Sequence, residues 1–410
     1  MVKGWVECPI TEVLKAGGIK IGPFGSQLKK EMLLSDGLYR VYGQENVYEH
    51  DFSLGDRYLT RDHFNRLSSC EILPGDFVMS TMGTIGKCAI VPPSIQRGIM
   101  DSHLIRLRFD DKKIRPDYML QLFSDQYHYL SDQTARLAVG GIMDGLSVGI
   151  VSRLNVVYPE SLEEQRRIIE TLSDVDTLIT DLQKLIRKKQ DIRQGTMQML
   201  VTGKKRLDGF SGDWVDCTLD SIAYVLNGDR GINYPSGGDF IDFGVPFINA
   251  GNIINSTVDM SGADFISIEK YYSLGGAKIQ YNDIVFCLRG SLGKCAICNF
   301  TGGAPASSLC VIRAKDGVDA RFLFHIINSG ITSRQIENLN AGSSQPNLSA
   351  KSLKGFEYKI PKDIIEQEMI SKTLIDLDMD IQKLEGKMSK YQKVKQGMME
   401  ELLTGKVRLV

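Results

Sequence analysis

The octapeptide GTIGKCAI at residues 83–90 looks like part of a phosphate-binding loop, and GSLGKCAI repeats it at residues 290–297. A nucleotide phosphate loop has four residues between its glycines and a Ser or Thr after the lysine, because its amides cradle phosphate and its hydroxyl holds magnesium. Both copies have two residues between the glycines and a cysteine after the lysine. The spacing therefore argues against a nucleotide site in either copy.

Other residues with catalytic or metal-binding potential are isolated. Cys295 and Cys298 form a single C-x-x-C pair without the second pair that a zinc site needs, so buried thiols are the better interpretation. The five histidines show no H-E-x-x-H pattern. Glu357 and Lys359 form an E-x-K that the first copy lacks, and no catalytic loop of an amino-methyltransferase occurs. We predict a chain that is not an enzyme and that carries no metal or cofactor of its own.

Polar residues on glycine-rich loops are the remaining candidates. Arg and Lys bind guanine, Asn and Gln bind adenine, and hydroxyls bind phosphate, although each type is also common in ordinary turns. Lys87 and Lys294 are the stronger candidates because both octapeptides retain this lysine. The predicted DNA-binding residues are Ser26, Gln27, Lys29, Gln44, Asn46, Thr84, Lys87, Asn249, Asn252, Arg289, Ser291 and Lys294.

Composition is that of an ordinary globular protein. The 410 residues are 42% hydrophobic, and 49 basic against 50 acidic side chains leave a net charge of -1. Any positive potential that attracts DNA must therefore be local, or come from partner subunits. The sequence has no apolar run long enough for a membrane span, and eight scattered cysteines suit a reducing compartment. We predict a cytoplasmic protein without a membrane partner.

The octapeptide belongs to an internal repeat that extends through the whole chain. The two octapeptides begin 207 residues apart (290 − 83), and WVECPI at 5–10 corresponds to WVDCTL at 214–219. Near the ends of the copies, MLVTGKKRL corresponds to ELLTGKVRL. The chain is thus two copies of one unit of about 200 residues, the size of one domain with an appendage.

Each copy begins as an α+β globule and ends in a long helix. Short β-rich runs with Gly and Pro punctuation fill residues 1–159 and 208–361, whereas 160–207 and 362–410 have a helical pattern. Apolar residues recur there at alternating spacings of three and four, which is the heptad pattern of a coiled coil. Its predicted spacer residues include Leu172, Ile179, Leu182, Leu374, Ile381 and Leu384.

Connectivity predicts how the two helices pair. Only about a dozen residues join the first helix to the second globule, so the helices should be antiparallel. Lys189 and Arg193 fall on the heptad seam, which predicts looser packing there or contact with another protein. Gly203 and Gly405 should end the helices. Because TGKVRLV repeats the segment that enters the second globule, the C-terminus should approach the first globule, which makes the arrangement circular and pseudo-twofold symmetric.

The ordered motifs resemble those of a known family. GPFGSQLKK, MGTIGK, LEEQRRI, QGTMQMLVTGKKRL and GFSGDW, with two globules each followed by a long helix, look like the specificity subunit of type I restriction-modification systems. The resemblance implies that each globule is a target recognition domain for one half of a bipartite, asymmetric double-stranded DNA site. It also implies that the helices set the gap between the halves and dock modification subunits, and that restriction subunits can join. S-adenosylmethionine and ATP with magnesium are then expected on the partner subunits.

Two alternatives remain open at this point. The chain could be the specificity subunit of an enzyme that fuses cleavage and methylation, in which the globules would have the same role with other partners. It could also be a protein-protein adaptor whose globules bind proteins and whose helices act only as a spacer.

Overall fold

The computed structural model describes residues 2–137, 145–340 and 347–409. The chain forms two compact units: unit 1 comprises Met1–Gln183 and Gly386–Val410, and unit 2 comprises Lys184–Glu385. Each unit therefore contains one globular region and part of both long helices. The division of the chain into segments at residues 159, 207 and 361 remains a prediction.

In its described residues, unit 1 has ten strands, five short α-helices and part of each of the two long helices. The strands are β1 (Trp5–Pro9), β2 (Leu14–Ile21), β3 (Tyr39–Tyr42), β4 (Tyr58–Leu59), β5 (Glu71–Ile72), β6 (Phe77–Ser80), β7 (Cys88–Ile90), β8 (Gly98–Met100), β9 (Leu104–Phe109) and β10 (Asn155–Pro159). The helices are α1 (Gln44–Tyr48), α2 (Arg61–Arg66), α3 (Pro116–Leu122), α4 (Tyr129–Leu137), α5 (Val148–Val151) and α6 (Leu162–Val201).

Unit 2 repeats this plan with small differences. Its strands are β11 (Trp214–Thr218), β12 (Ala223–Asn227), β13 (Phe240–Ile241), β14 (Val245–Ile248), β15 (Ile253–Ile254), β16 (Thr257–Val258), β17 (Asp264–Ile266), β18 (Ile284–Cys287), β19 (Cys295–Ile297), β20 (Ala304–Pro305), β21 (Leu309–Ala314) and β22 (Glu357–Pro361). Its helices are α7 (Leu219–Ile222), α8 (Ile268–Ser273), α9 (Ala320–Ile327), α10 (Gly330–Asn340), α11 (Ala350–Lys354) and α12 (Ile364–Leu402).

Corresponding sheets occur in the two units. In unit 1 an antiparallel sheet has the order β2-β9-β6-β7, and a mixed sheet has the order β4-β3-β8-β5 with β3 and β8 parallel. In unit 2 the orders are β12-β21-β18-β19 and β13-β17-β14-β20, with β14 and β20 parallel. A two-stranded pair, β1-β10 or β11-β22, joins the beginning of each globular region to its end. The predicted α+β class and internal duplication are confirmed.

The central strands are apolar on both faces because each face has its own core. Successive side chains of a strand point to opposite sides of the sheet. Phe77 and Met79 of β6 therefore enter one cluster, and Val78 enters another. In unit 2 Phe286 and Val285 of β18 are divided between two clusters in the same way. This explains why FVMS and IVFC lack the polar-apolar alternation of a half-exposed strand.

The long helices have 40 and 39 residues, and each spans about 60 Å at about 1.5 Å per residue. Gly203 and Gly405 follow their C-terminal ends with φ values of 66° and 73°, a left-handed conformation that ends a helix. Gly405 lies so close to Trp5 that a Cβ atom would come within 2.8 Å of the indole ring. Gly203 contacts Trp214 in the same manner, at 3.2 Å.

Ion pairs show that the helices are antiparallel within each unit. In unit 1 Arg408 donates two bonds of 2.5 and 2.7 Å to the buried Glu164, and its guanidinium also donates to the Lys3 carbonyl. In unit 2 the corresponding Arg206 donates two bonds of 2.5 Å to the buried Glu366. The C-terminal segment therefore occupies the place in unit 1 that the inter-copy connection occupies in unit 2, as the circular arrangement predicts.

The helix seam is packed by the predicted apolar residues together with ion pairs between the two long helices in each unit. Leu172, Ile179, Leu182, Leu374 and Ile381 are buried, and Leu384 is half-buried. The prediction of a looser seam at the two basic positions is wrong, because Arg193 donates bonds of 2.8 and 3.0 Å to Asp378, and Lys189 pairs with Asp380. At the corresponding place in unit 1, the buried Lys395 pairs with Asp176 at 2.7 Å.

A buried glutamine connects the start of each long helix to its globular region. Gln165 accepts a bond from the Arg115 backbone and donates to the Lys113 and Pro159 carbonyls, all at 2.9 Å. Gln367 makes the corresponding contacts in unit 2, accepting from Asp319 N and donating to the Pro361 carbonyl. Such satisfied buried amides fix the direction in which a helix leaves a domain. They give a structural reason for the glutamine that both copies contain at the start of the long helix.

Candidate nucleic-acid interface

The two octapeptides form the same β-hairpin loop, between β6 and β7 in unit 1 and between β18 and β19 in unit 2. Their second glycines, Gly86 and Gly293, have φ values of 81° and 83°, which only glycine adopts readily. A Cβ atom at either glycine would lie 3.0 Å from a side-chain carbon, of Leu130 or Ile336 respectively. The glycines therefore serve a tight turn packed against α4 or α10.

The two octapeptide lysines have different partners. Lys87 makes an ion pair with Asp125, just after α3. Lys294 is exposed and its ammonium donates a 3.2 Å bond to the Ala250 carbonyl. A phosphate can replace the present partner of either ammonium, because each of these interactions is exposed and therefore weak in water. Their role in DNA binding remains a prediction.

Polar loops adjoin these hairpins in both units. In unit 1 the Tyr48 hydroxyl donates to Gln44 at 3.1 Å or to the Met82 carbonyl at 3.0 Å, and it accepts a 3.0 Å bond from the Thr84 backbone. Gln44 and the exposed Thr84 are thus brought together. In unit 2 the Lys294 ammonium donates to the carbonyl of Ala250, the residue that follows Asn249. One polar loop lies beside the octapeptide loop in each unit.

Two of the predicted residues have a structural role that accounts for their amides. Asn46 is 0% exposed, accepts a bond from Gly43 N and donates to two carbonyls, at 3.0 and 2.9 Å. Asn252 is 4% exposed, accepts from Asn249 N and donates to the Gly262 carbonyl. Because these bonds hold the loop and the side chains are buried, we leave both asparagines out of the proposed DNA surface.

The remaining predicted residues lie at loop surfaces. Ser26, Gln27 and Lys29 are exposed around the turn after β2, and no described contact connects them with the octapeptide loop. Arg289 and Ser291 are exposed in the unit 2 hairpin loop. The Asn249 side chain accepts a 2.8 Å bond from Gly251 N and is half-buried. The exposed residues of this set are accessible to DNA, whereas Asn249 is accessible only in part.

Sequence reasoning missed a cleft that occurs in both units between the globular region and the long helices. In unit 1 its volume is about 290 Å³, and Tyr48, His50, Lys87 and Lys395 line it. The corresponding cleft of unit 2 has about 780 Å³. Its polar lining includes Asn255, Ser256, Arg321, His325 and Asn328. An alignment of α3 with α9 is the sequence feature that could have revealed the clefts. It aligns Ser124, which lines the first cleft, with Asn328, which lines the second.

His325 in the second cleft predicts a pH dependence. Burial lowers its pKa to about 4, and the nearby Arg193 guanidinium contributes. The unfolded chain, with a pKa near 6.5, takes up a proton between these values that folded unit 2 does not. Unit 2 should therefore lose up to about 3 kcal/mol as the pH falls from 6.5 to 4.

The substitution His325→Gln isolates the contribution of this imidazole. Gln121 occupies the corresponding position of α3, so a glutamine is compatible with the fold, and the carboxylates of the chain titrate equally in both proteins. Urea unfolding of unit 2 can be monitored by hydrogen exchange. We expect the free energy of unfolding to depend less on pH in the variant than in the unsubstituted protein. Identical pH profiles for the two proteins would refute the assignment.

All eight cysteines are free, and all of them are buried except Cys217, which is half-buried. Burial raises the pKa of the Cys295 and Cys298 thiols to about 12. Among residues 2–137, 145–340 and 347–409, no three His, Cys, Asp or Glu side chains form a group that could hold a metal ion. Over the same ranges, no helix has the length and apolarity of a membrane span.

Solved structures share this fold. The S subunit of a type I restriction-modification system from M. genitalium aligns over 97% of this chain and 96% of its own, with a TM-score of 0.56 and 16% identity. A chain from a structural study of complex assembly and conformational transition of the type I R-M system aligns over 99% of both chains, with a TM-score of 0.62 and 14% identity.

Sequence comparisons identify the family. The type I restriction enzyme MjaVIII specificity subunit of Methanocaldococcus jannaschii is 24% identical over 335 residues, covering 77% of this chain and 75% of its own. The family model for the type I restriction modification DNA specificity domain matches twice, at residues 3–194 and 212–391. The two matches correspond to the two copies of the repeat and together cover most of the chain. The chain belongs to the type I restriction-modification DNA specificity family.

Proposed function

We propose that this chain is the DNA-reading subunit of a type I restriction-modification enzyme, and that each globular region reads one half of a split double-stranded target. The observation that supports this proposal most strongly is the occurrence of two specificity domains in one chain, with the same hairpin loop beside a polar loop in each. Because the loop residues differ between the units, the two half-sites differ in sequence. The match favours this function over a fused enzyme subunit or a protein-protein adaptor.

In this proposal the chain itself is not catalytic. Modification subunits bind S-adenosylmethionine and transfer the methyl group, and restriction subunits use ATP and magnesium to translocate and cleave. The chain contributes sequence reading, and its helices set the gap and hold the modification subunits. An activity on chromosomal DNA also places the assembly in the cytoplasm.

A footprint on DNA tests the proposal against the adaptor. The chain is purified with its modification subunit and incubated with genomic fragments, and bound fragments are treated with DNase. We expect protected sites that share two short sequence elements at a fixed separation. Binding that protects no common site would contradict a DNA-reading function.

The octapeptide lysines predict a distinct effect on affinity. Replacing Lys87 or Lys294 by alanine should weaken binding to all sequences about equally and reduce the slope of log K against log salt by about 1, since each lysine would neutralise one phosphate. Filter binding at several salt concentrations measures both quantities. A change confined to sequence preference would show that the lysine reads a base.

A further inference from the structure

One face of α9 lines the cleft of unit 2 with chemically different side chains. Arg321 and His325 lie four positions apart, so they share one face of this helix. Phe324 and Asn328 line the cleft beside them. The cleft thus receives a cation, an imidazole, a phenyl ring and an amide from one helix, and such a mixture of apolar and polar groups is typical of a small-molecule site.

The His325 imidazole lacks a hydrogen-bond partner at one nitrogen. The residue is 3% exposed, and its Nδ1 atom is buried without a partner among the described residues. Burial lowers the pKa of this imidazole to about 4, so the ring is neutral at pH 7 and offers one donor and one acceptor. A buried polar atom without a partner is costly and therefore rare. A group that enters the cleft can supply the missing bond.

Two charged side chains of the cleft are available to a ligand. Arg193 is not one of them, because its guanidinium donates two bonds to Asp378. Arg321 and Glu385 are both exposed, and neither makes an ion pair with a residue that the structure describes. The planar guanidinium of Arg321 suits a phosphate, and the Glu385 carboxylate can accept bonds from hydroxyl groups.

Side-chain amides make up much of the remaining polar lining. They are Gln190 and Gln194 from α6, Gln382 from α12 and Asn255 from the turn between β15 and β16. Each amide presents a donor beside an acceptor, which matches the edge of a nucleobase. The cleft volume of about 780 Å³ lies within the usual range of small-molecule sites, about 300–1,000 Å³. The cleft therefore has both the room and the polar groups for a heterocyclic ring.

The turn that carries Asn255 is fixed to α9. The Asn328 amide donates a 3.2 Å bond to the Ser256 hydroxyl. Asn255 and Ser256 have φ values of 49° and 62°, the left-handed conformation that a two-residue hairpin turn requires. Consecutive non-glycine residues keep this conformation only where their surroundings hold them, and such positions are frequent at ligand sites.

The cleft of unit 1 differs at the decisive positions. Alignment of α3 with α9 places Asp117 at the position of Arg321 and Gln121 at the position of His325. Both lysines that line the first cleft are paired with an aspartate, and the cleft volume is only about 290 Å³. Unit 1 thus has neither the arginine nor the imidazole at these positions, and we expect one site per chain.

We infer that the cleft of unit 2 binds one nucleoside monophosphate. Arg321 binds the phosphate, the amides and Nδ1 of His325 bind the edge of the base, and Glu385 accepts bonds from the ribose hydroxyls. This inference goes beyond the DNA-reading function and does not depend on it. Because the ligand contacts α9 and the segments of the long helices that belong to unit 2, its binding stabilises unit 2 against unfolding.

Calorimetric titration of the full chain with AMP, adenosine and inorganic phosphate tests the inference. We expect one AMP per chain, bound about 10–100-fold more tightly than adenosine, because adenosine lacks the charged bonds to Arg321. Arg321→Gln should lower the affinity for AMP to that for adenosine and leave adenosine binding unchanged. Arg334→Gln is the matched control, since Arg334 is also exposed but lies on α10 outside the cleft lining. It should change neither affinity.

The variant His325→Phe tests the imidazole while it keeps a ring of similar size. We expect AMP and adenosine to bind about 10-fold more weakly to it. In nitrogen NMR spectra, the imidazole signal that this variant loses belongs to His325. That signal should shift when AMP or adenosine is added to the unsubstituted chain, but not when phosphate is added. Because Arg321 is exposed, its variant tests the site even if His325→Phe does not fold.

Hydrogen exchange provides an independent measurement, in which AMP should increase protection in unit 2 and leave unit 1 unchanged. Absence of AMP and adenosine binding would overturn the inference, as would phosphate binding as tight as AMP binding. An AMP affinity that both Arg321→Gln and His325→Phe leave unchanged would also overturn it. The DNA footprint tests the proposed function separately, so failure of one experiment does not decide the other.

Discussion

Deleting one heptad from each long helix, in matched antiparallel register, should shorten the gap between the two half-sites by about three base pairs. Each helix loses about 10 Å at about 1.5 Å per residue, and base pairs are stacked about 3.4 Å apart. A whole heptad keeps the apolar seam in phase, so the helices still pair. Methylation should disappear from sites with the original gap and appear at sites with the shorter one.

The control for this deletion is a heptad removed from α6 alone. This variant leaves the helices unequal in length and mismatches pairs such as Arg193 with Asp378, so we expect it to lose methylation at every gap. Retention of the original gap by the matched deletion would show that the helices do not determine the separation of the half-sites.

Replacing Trp5 by alanine should destabilise unit 1 by about 3–5 kcal/mol, the usual cost of deleting a buried aromatic side chain. Trp5 is 5% exposed, belongs to the main core of unit 1 and covers the Gly405 helix end. Its removal releases the C-terminal segment as well as opening a cavity. Hydrogen exchange read by mass spectrometry should show lost protection in unit 1 and little change in unit 2.

Trp214→Ala is the reciprocal variant. Trp214 packs against Gly203 and its indole nitrogen donates a 3.4 Å bond to Glu366, but it is only half-buried, so we expect a smaller loss, confined to unit 2. Equal loss of protection in both units from either substitution would contradict the description of the units as separate compact bodies.

Features that depend on periodicity could be predicted well from the sequence. The heptad spacing and the absence of proline predict long helices, and Gly203 and Gly405 mark their ends. The antiparallel direction followed from chain connectivity alone. The circular closure was also predictable, because repetition of the Thr-Gly-Lys segment places Arg206 and Arg408 in corresponding positions.

Features that depend on three-dimensional contacts could not be predicted in the same way. Asn46 and Asn252 have a residue type that reads adenine, but the same amide groups satisfy buried loop backbone, and sequence does not distinguish these roles. The basic seam position Arg193 suggested loose packing because its partner Asp378 is distant in sequence. The duplicated clefts are lined by residues from loops, short helices and long helices together, so no single sequence motif predicts them.

Sequencing of DNA methylation in cells that express this chain with its modification subunit tests whether the chain directs the modification to a split DNA target. Long reads that detect modified bases yield the whole target and the methylated positions at once. We expect methylated adenines in one asymmetric motif, made of two different short elements separated by a gap of constant length and unspecified sequence. Methylation within a single continuous motif, or no motif that depends on this chain, would contradict this expectation.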